Sequence, residues 1–171
     1  MSDERLPLHI DPKRLARAGA CLRGRLAVAE MERFAPLLAT NDGEVEVVLD
    51  FDFDPERRAF MRMHLRAEVS LVCQRCLGPV HHAIEVERLL GVVTTEAQAE
   101  RLPGIYDPLF VTEEPLLLRE VIEDELILSL PIVPRHNDGE CAPAVTGAGT
   151  DNKVGGAREN PFAVLAGLKN H

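Results

Sequence analysis

Residues 60 to 93 constrain this chain more than any other segment. Phe60-Met-Arg-Met-His-Leu-Arg-Ala-Glu-Val-Ser-Leu-Val72 alternates apolar and polar residues, and places Met61, Met63, Leu65, Ala67, Val69 and Leu71 on one face of a strand. After Cys73 to Pro79 a second run follows, Val80-His-His-Ala-Ile-Glu-Val-Glu-Arg-Leu-Leu-Gly-Val-Val93. Strand, short turn, strand predicts a long hairpin with one apolar side. Such a hairpin has to be covered, so the chain must build a sheet with one face buried.

Other segments extend that sheet. Asn41-Asp-Gly43 is a turn signal before the strand-like Glu44 to Phe53, which Asp54-Pro55 ends. Cys21 to Val28 alternates loosely, Leu6 to Ile10 is a short apolar opener, and Asp11-Pro12 starts a turn or short helix. Met31 to Leu38 and Thr95 to Leu102 read as helical turns. One longer helix is expected from Pro115 to about Leu130, with proline suited to its first position and Pro131 stopping it. Leu117, Leu118, Val121, Ile122 and Leu128 share its apolar arc. Glu125 falls inside that arc, partly buried against an arginine, whereas Glu120, Glu123 and Asp124 fall outside. Residues 137–159 are rich in glycine and small residues and read as a flexible linker. Asn160-Pro161 then caps a short C-terminal helix over residues 160–171. The expected fold is α+β: one globular domain over residues 1–136, built on an antiparallel sheet or partly closed β-barrel with one main helix, then the linker and the docking helix.

The charge balance narrows function. With 19 Lys and Arg against 28 Asp and Glu, the net charge is −9, which opposes non-specific phosphate binding. Acids concentrate at Asp42, Glu44, Glu46, Asp50, Asp52 and Asp54, and again between Glu85 and Glu125. Bases concentrate at Lys13, Arg14, Arg17, Arg23 and Arg25, with no acid between Pro12 and Glu30. Ordinary solvated surface is the plain reading of both. The sharper one is acidic faces that receive a basic protein and a basic stretch that touches RNA. One Tyr and no Trp supply few base-stacking platforms. No run approaches the roughly 18 to 20 apolar residues of a membrane span, and Met1 to Arg5 opens no signal peptide. The chain is expected in the cytoplasm, with no membrane partner and no small-molecule substrate.

Cysteine use poses a metal question. Cys73-Gln-Arg-Cys76 sits at the hairpin tip, where two thiolates two residues apart form half of a tetrahedral zinc site. His136 and Cys141, after the helix, offer the other half. His81 and His82 are rival nitrogen donors, and reduced thiols packed at a turn are the plain alternative. A redox pair belongs at a helix N-terminus, where the dipole lowers the thiol pKa, and this pair lies between strands.

Glu123-Asp-Glu125 raises the question of a metal-dependent nuclease. Successive residues on a helix point about 100° apart and do not converge on one ion. Glu120 with Glu123 or Asp124 would, but no second carboxylate element accompanies them. Phosphate-binding and nucleophile-elbow motifs are missing from the sequence. Catalytic residues: none are expected.

Four blocks carry a family resemblance. Leu6-Pro-Leu-His-Ile-Asp-Pro12, Cys73-Gln-Arg-Cys-Leu-Gly-Pro79, Val121 to Pro134 and Asn160-Pro-Phe-Ala-Val-Leu-Ala-Gly-Leu-Lys169 resemble, in order, the YceD family of large ribosomal RNA subunit accumulation proteins. The resemblance implies a cytosolic bacterial protein needed for synthesis, processing or stability of 23S rRNA. It also implies a genetic neighbourhood with a small basic protein of the large subunit. It brings no catalytic residues. Many relatives place a second cysteine-rich stretch after the Pro-x-x-Pro segment, where this chain has only His136 and Cys141.

Together these readings predict a non-catalytic ribosome biogenesis factor. It acts through a large-subunit ribosomal protein or pre-ribosomal particle, with 23S rRNA contacted indirectly or through Lys13 to Arg25, and holds one structural zinc ion on Cys73, Cys76, His136 and Cys141. The alternative is a zinc-binding regulatory or interaction module that does not act directly on rRNA.

Overall fold

The computed structural model describes residues 5–137 and 139–141. The hairpin forms as its alternation demands: β4, Ala59–Val72, pairs antiparallel with β5, Pro79–Val93. Ahead of them come β1 (His9–Ile10), α1 (Pro12–Arg17), β2 (Cys21–Ala27) and β3 (Glu44–Phe53). Asp11 caps α1 by accepting from the Arg14 N–H at 3.0 Å, and Pro12 occupies its first turn. Short 3-10 turns at Val28–Glu30 and Ala35–Leu37 lead from β2 into β3. After β5 come α2 (Glu96–Ala99), β6 (Asp107–Phe110), β7 (Leu116–Leu117) and α3 (Leu118–Ser129).

Five strands make one open sheet in the order β2-β3-β4-β5-β6, and β1 with β7 makes a second, two-stranded one. This corrects the expected topology. The larger sheet is mixed, because β6 runs parallel to the end of β5, from Leu90↔Asp107 to Val93↔Phe110. Among the described residues no closed barrel forms, and β2 and β6 are the edges. The segment through α2 crosses back before β6 begins, as a parallel neighbour requires. β6 is only four residues long and contains Pro108, a residue confined to edge positions, so its sequence carries little strand signal. Gly91 allows the crossover to lie close: a Cβ there would sit 2.9 Å from Leu102 Cδ2 and 3.3 Å from Tyr106 Cβ.

The apolar face of β3, β4 and β5 is buried, including Val45, Val47, Leu49, Phe51, Met61, Met63, Leu65 and Val86. Phe34, Met31 and the α3 residues Leu118, Ile122 and Leu126 close over it. Among the described residues nothing covers the opposite face.

α3 starts three residues later than expected. Leu116 and Leu117 pair with Ile10 and His9, and the Leu118 N–H donates to Leu8 O at 3.1 Å, so strand pairing takes the positions that Pro115 would have opened. The buried face also shifts. Leu128 is 73% exposed, whereas Glu123, expected outside, is only 3% exposed. Its Oε2 accepts from the backbone N–H groups of Arg33 (2.7 Å) and Phe34 (3.0 Å). Those donors lie in a loop far away in sequence, so no periodicity announces them. The expected linker and C-terminal helix lie almost wholly outside the described residues.

Candidate metal centre

The turn between β4 and β5 is built to present sulfur. The Cys73 N–H donates to Gly78 O at 2.9 Å, and the Leu77 N–H donates back to Cys73 O at 2.9 Å. Leu77 adopts a left-handed φ of 61°, which folds the chain tightly enough for Cys73 and Cys76 to point the same way. The segment after α3 is laid alongside, with the Gln74 N–H donating to Pro134 O at 2.9 Å.

The two halves meet as the spacing suggested. One donor atom each from Cys73, Cys76, His136 and Cys141 lies within 4.8 Å of all the others. Cys73 Sγ is 3.7 Å from Cys141 Sγ, and His136 Nδ1 is 3.5 Å from Cys76 Sγ and 3.6 Å from Cys141 Sγ. A tetrahedral zinc with bonds of about 2.3 Å to sulfur and about 2.05 Å to nitrogen requires edges of about 3.8 Å (S–S) and about 3.6 Å (S–N). Three of the six edges match these values and the others lie within 4.8 Å, so the donor set suits a four-coordinate soft-ligand ion. His81 and His82 are not part of the cluster.

Surrounding groups orient these donors. His136 Nε2 lies 2.9 Å from Pro79 O, which can only accept, so Nε2 carries a proton, and in the neutral ring this leaves the Nδ1 lone pair free for a metal ion. Arg75 donates from Nε to Cys141 Sγ at 2.9 Å and from Nη2 to Asn137 O at 3.2 Å. Arg75 was not singled out by sequence, although its position inside Cys-x-x-Cys was the available signal.

The protonation pattern is that of crowded thiols. The Cys76 N–H, against burial and with help from the Arg75 and His136 N–H groups, holds the Cys73 thiol down at about 5. The Gly78 N–H favours the Cys76 thiolate, but burial and the neighbouring Cys141 and Cys73 push that thiol up. Cys73 and Cys141 raise His136. Thiolate charge is crowded at Cys73 and Cys76, and a divalent cation held between them would relieve that crowding.

The helix carboxylates diverge. Glu123 points inward, Asp124 pairs with Arg33 Nη2 at 2.6 Å, and Glu125, 12% exposed, accepts from Arg88 Nε at 3.0 Å. The expected Glu125–arginine contact is therefore present. Among the described residues, Cys73, Cys76, His136 and Cys141 are the metal-type cluster.

The basic stretch is divided. Lys13, Arg14 and Arg17 lie on α1, whereas Arg23 and Arg25 lie on β2. Arg25 is engaged by Glu44 (3.4 Å) and Glu46 (3.1 Å), and Arg23 Nε donates to Cys21 Sγ at 3.3 Å. No helix among the described residues is long and apolar enough to cross a membrane.

A small open-sheet protein whose longest hairpin is joined at its tip to a distant segment by a Cys3His cluster is the class that this fold and site define. Comparison with known proteins gives the family. The model for "Large ribosomal RNA subunit accumulation protein YceD" matches residues 61–169, and the protein of that name from Haemophilus influenzae is 34% identical over 172 residues, covering 99% of each chain. The chain belongs to the YceD family. No solved structure gives a significant match.

Proposed function

We propose that this protein is a non-catalytic ribosome biogenesis factor that supports 23S rRNA by receiving a basic large-subunit ribosomal protein, alone or on a precursor particle, on its open sheet face. The family name supplies the rRNA context. The observation that carries the reading is the composition of that face. Strand register puts Glu44, Glu46, Asp50 and Asp52 of β3 beside Glu68 of β4 and Glu85 and Glu87 of β5. Two acid runs far apart in sequence thus meet on one surface, against Arg23, Arg25, Arg62 and Arg66 among the described residues. Such a surface speeds the encounter with a cationic partner and repels naked RNA.

The cluster supports a structural zinc rather than a catalytic one. All four positions are supplied by protein, which leaves none for water or substrate. When bound, the ion would clamp the β4–β5 turn to the segment after α3.

Affinity capture of the tagged protein from growing cells, with and without RNase, tests the reading. Large-subunit proteins that persist after RNase support it. Loss of every ribosomal component on RNase treatment overturns the acidic-face model.

A further inference from the structure

Positive charge gathers at the end of β4 opposite the Cys3His cluster. The β3–β4 turn, Asp54 to Arg58, is closed by the Asp54 N–H donating to Arg58 O at 3.0 Å and the Arg57 N–H donating to Asp54 O at 2.9 Å. Beside it opens a cavity of about 380 Å3, lined in part by Lys13 and Arg17 of α1, Phe53, Arg57, Arg58 and Arg101. That volume falls within the roughly 300–1,000 Å3 of ligand sites. Among the described residues no acid lines it, in a chain with nine more acids than bases.

Of these cations, Arg58 is committed. Its Nε donates to Asp54 Oδ2 at 2.7 Å, and it also pairs with Glu56. Lys13, Arg17, Arg57 and Arg101 have no ion-pair partner among the described residues. Lys13 and Arg17 are also i,i+4 neighbours on one helix, where like charges repel. Arg57 holds a φ of 63°, a left-handed position that glycine fills without strain. Four cations that line one cavity without an ion-pair partner among the described residues point to an anionic ligand. Phe53 adds a ring, 37% exposed, in the same wall.

We propose that this cavity binds the phosphodiester backbone of single-stranded RNA, with one unstacked base against Phe53. The assignment rests on the rRNA reading and deepens it: the acidic sheet face takes the protein partner, and this separate pocket takes a strand of the RNA. Unpaired bases offer a free face for an aromatic ring, which a duplex does not. Lys13 and Arg17 belong to the basic stretch seen in the sequence, whereas Arg57, Arg101 and Phe53 are joined to them only by the fold.

The test is fluorescence polarisation of a short labelled single-stranded RNA of mixed sequence with the full-length protein, between about 50 and 200 mM salt. Arg57→Gly and Arg101→Gln should each weaken binding at least about threefold and flatten the salt slope by about 0.7. Thermal stability of Arg57→Gly should stay level or rise, because glycine suits the left-handed turn; this separates lost binding from lost fold. Phe53→Leu should weaken binding about fivefold with the slope unchanged. Arg33→Gln, whose guanidinium pairs with Asp124 outside this cavity, should bind as the native protein does. Absence of saturable RNA binding, or Arg57→Gly and Arg101→Gln behaving like Arg33→Gln, overturns the pocket. Loss of the pocket while large-subunit proteins are still captured leaves the rRNA reading standing. RNA binding without any ribosomal capture removes that reading and keeps the pocket.

Discussion

Replacing Cys73 by serine should disconnect the hairpin tip from the segment after α3. The buried sulfur touches Cys141, 68 positions away, and the cluster also joins Cys76 to His136 across 60 positions. A cross-link that closes a loop of this length restricts the unfolded chain by about 4 kcal/mol if treated as a covalent clasp. For a chain of this size each kcal/mol moves the midpoint by about 2–4 °C, so removal of the ion should lower Tm by about 8–16 °C. Zinc content by mass spectrometry, together with thermal unfolding before and after chelation, measures both quantities. The native protein should hold about one zinc per chain, and Cys73→Ser far less. Cys21→Ser, with its sulfur on β2 outside the cluster, should change neither. Metal-free native protein, or a chelated protein with an unmoved Tm, would falsify the clasp.

Other substitutions probe particular contacts. Glu123→Ala should cost about 2–3 kcal/mol, since a buried N–H (Phe34) and a part-buried one (Arg33) lose a charged acceptor, while Glu123→Gln keeps an oxygen for both and should cost less than half of that; equal losses in urea unfolding would contradict this. Leu77→Gly should stabilise the protein by about 1 kcal/mol, because Leu77 is 75% exposed and strained at positive φ, and a lower Tm with metal content unchanged would refute it. Burial raises the Glu125 carboxyl above its ordinary 4.5 despite the pull of Arg88, so its ionisation opposes folding. Its contribution is fully present below the ordinary value and is lost as pH rises through the raised one. Glu125→Gln should therefore gain on the native protein as unfolding is measured from about pH 4 to pH 7, and a drift the other way would mean that Arg88 outweighs burial.

Much of the sheet was legible because a strand half buried on a sheet writes its orientation into every second residue. Glu44 to Phe53, Phe60 to Val72 and Val80 to Val93 all became strands within a residue of their expected limits. Cys73, Cys76, His136 and Cys141 were equally readable, since donor type and local spacing are properties of the chain. The β6 strand was not, because four residues with a proline become a strand only when β5 offers them an edge. Glu123 was misplaced for a related reason: helix periodicity ranks faces by apolarity and cannot register two N–H donors arriving from residues 33 and 34.

By itself, then, the sequence determined the alternating hairpin, the thiol-bearing turn and the acid-rich balance, all of which are local. Tertiary structure decided which distant pieces meet. It placed His136 and Cys141 on the turn, brought two acid runs onto one sheet face, split the basic stretch, and gathered Lys13 and Arg17 with Arg57 and Arg101. Those juxtapositions depend on strand order, register and crossover, which arise from burying one apolar face under α1 and α3 and leave no periodic trace along the chain.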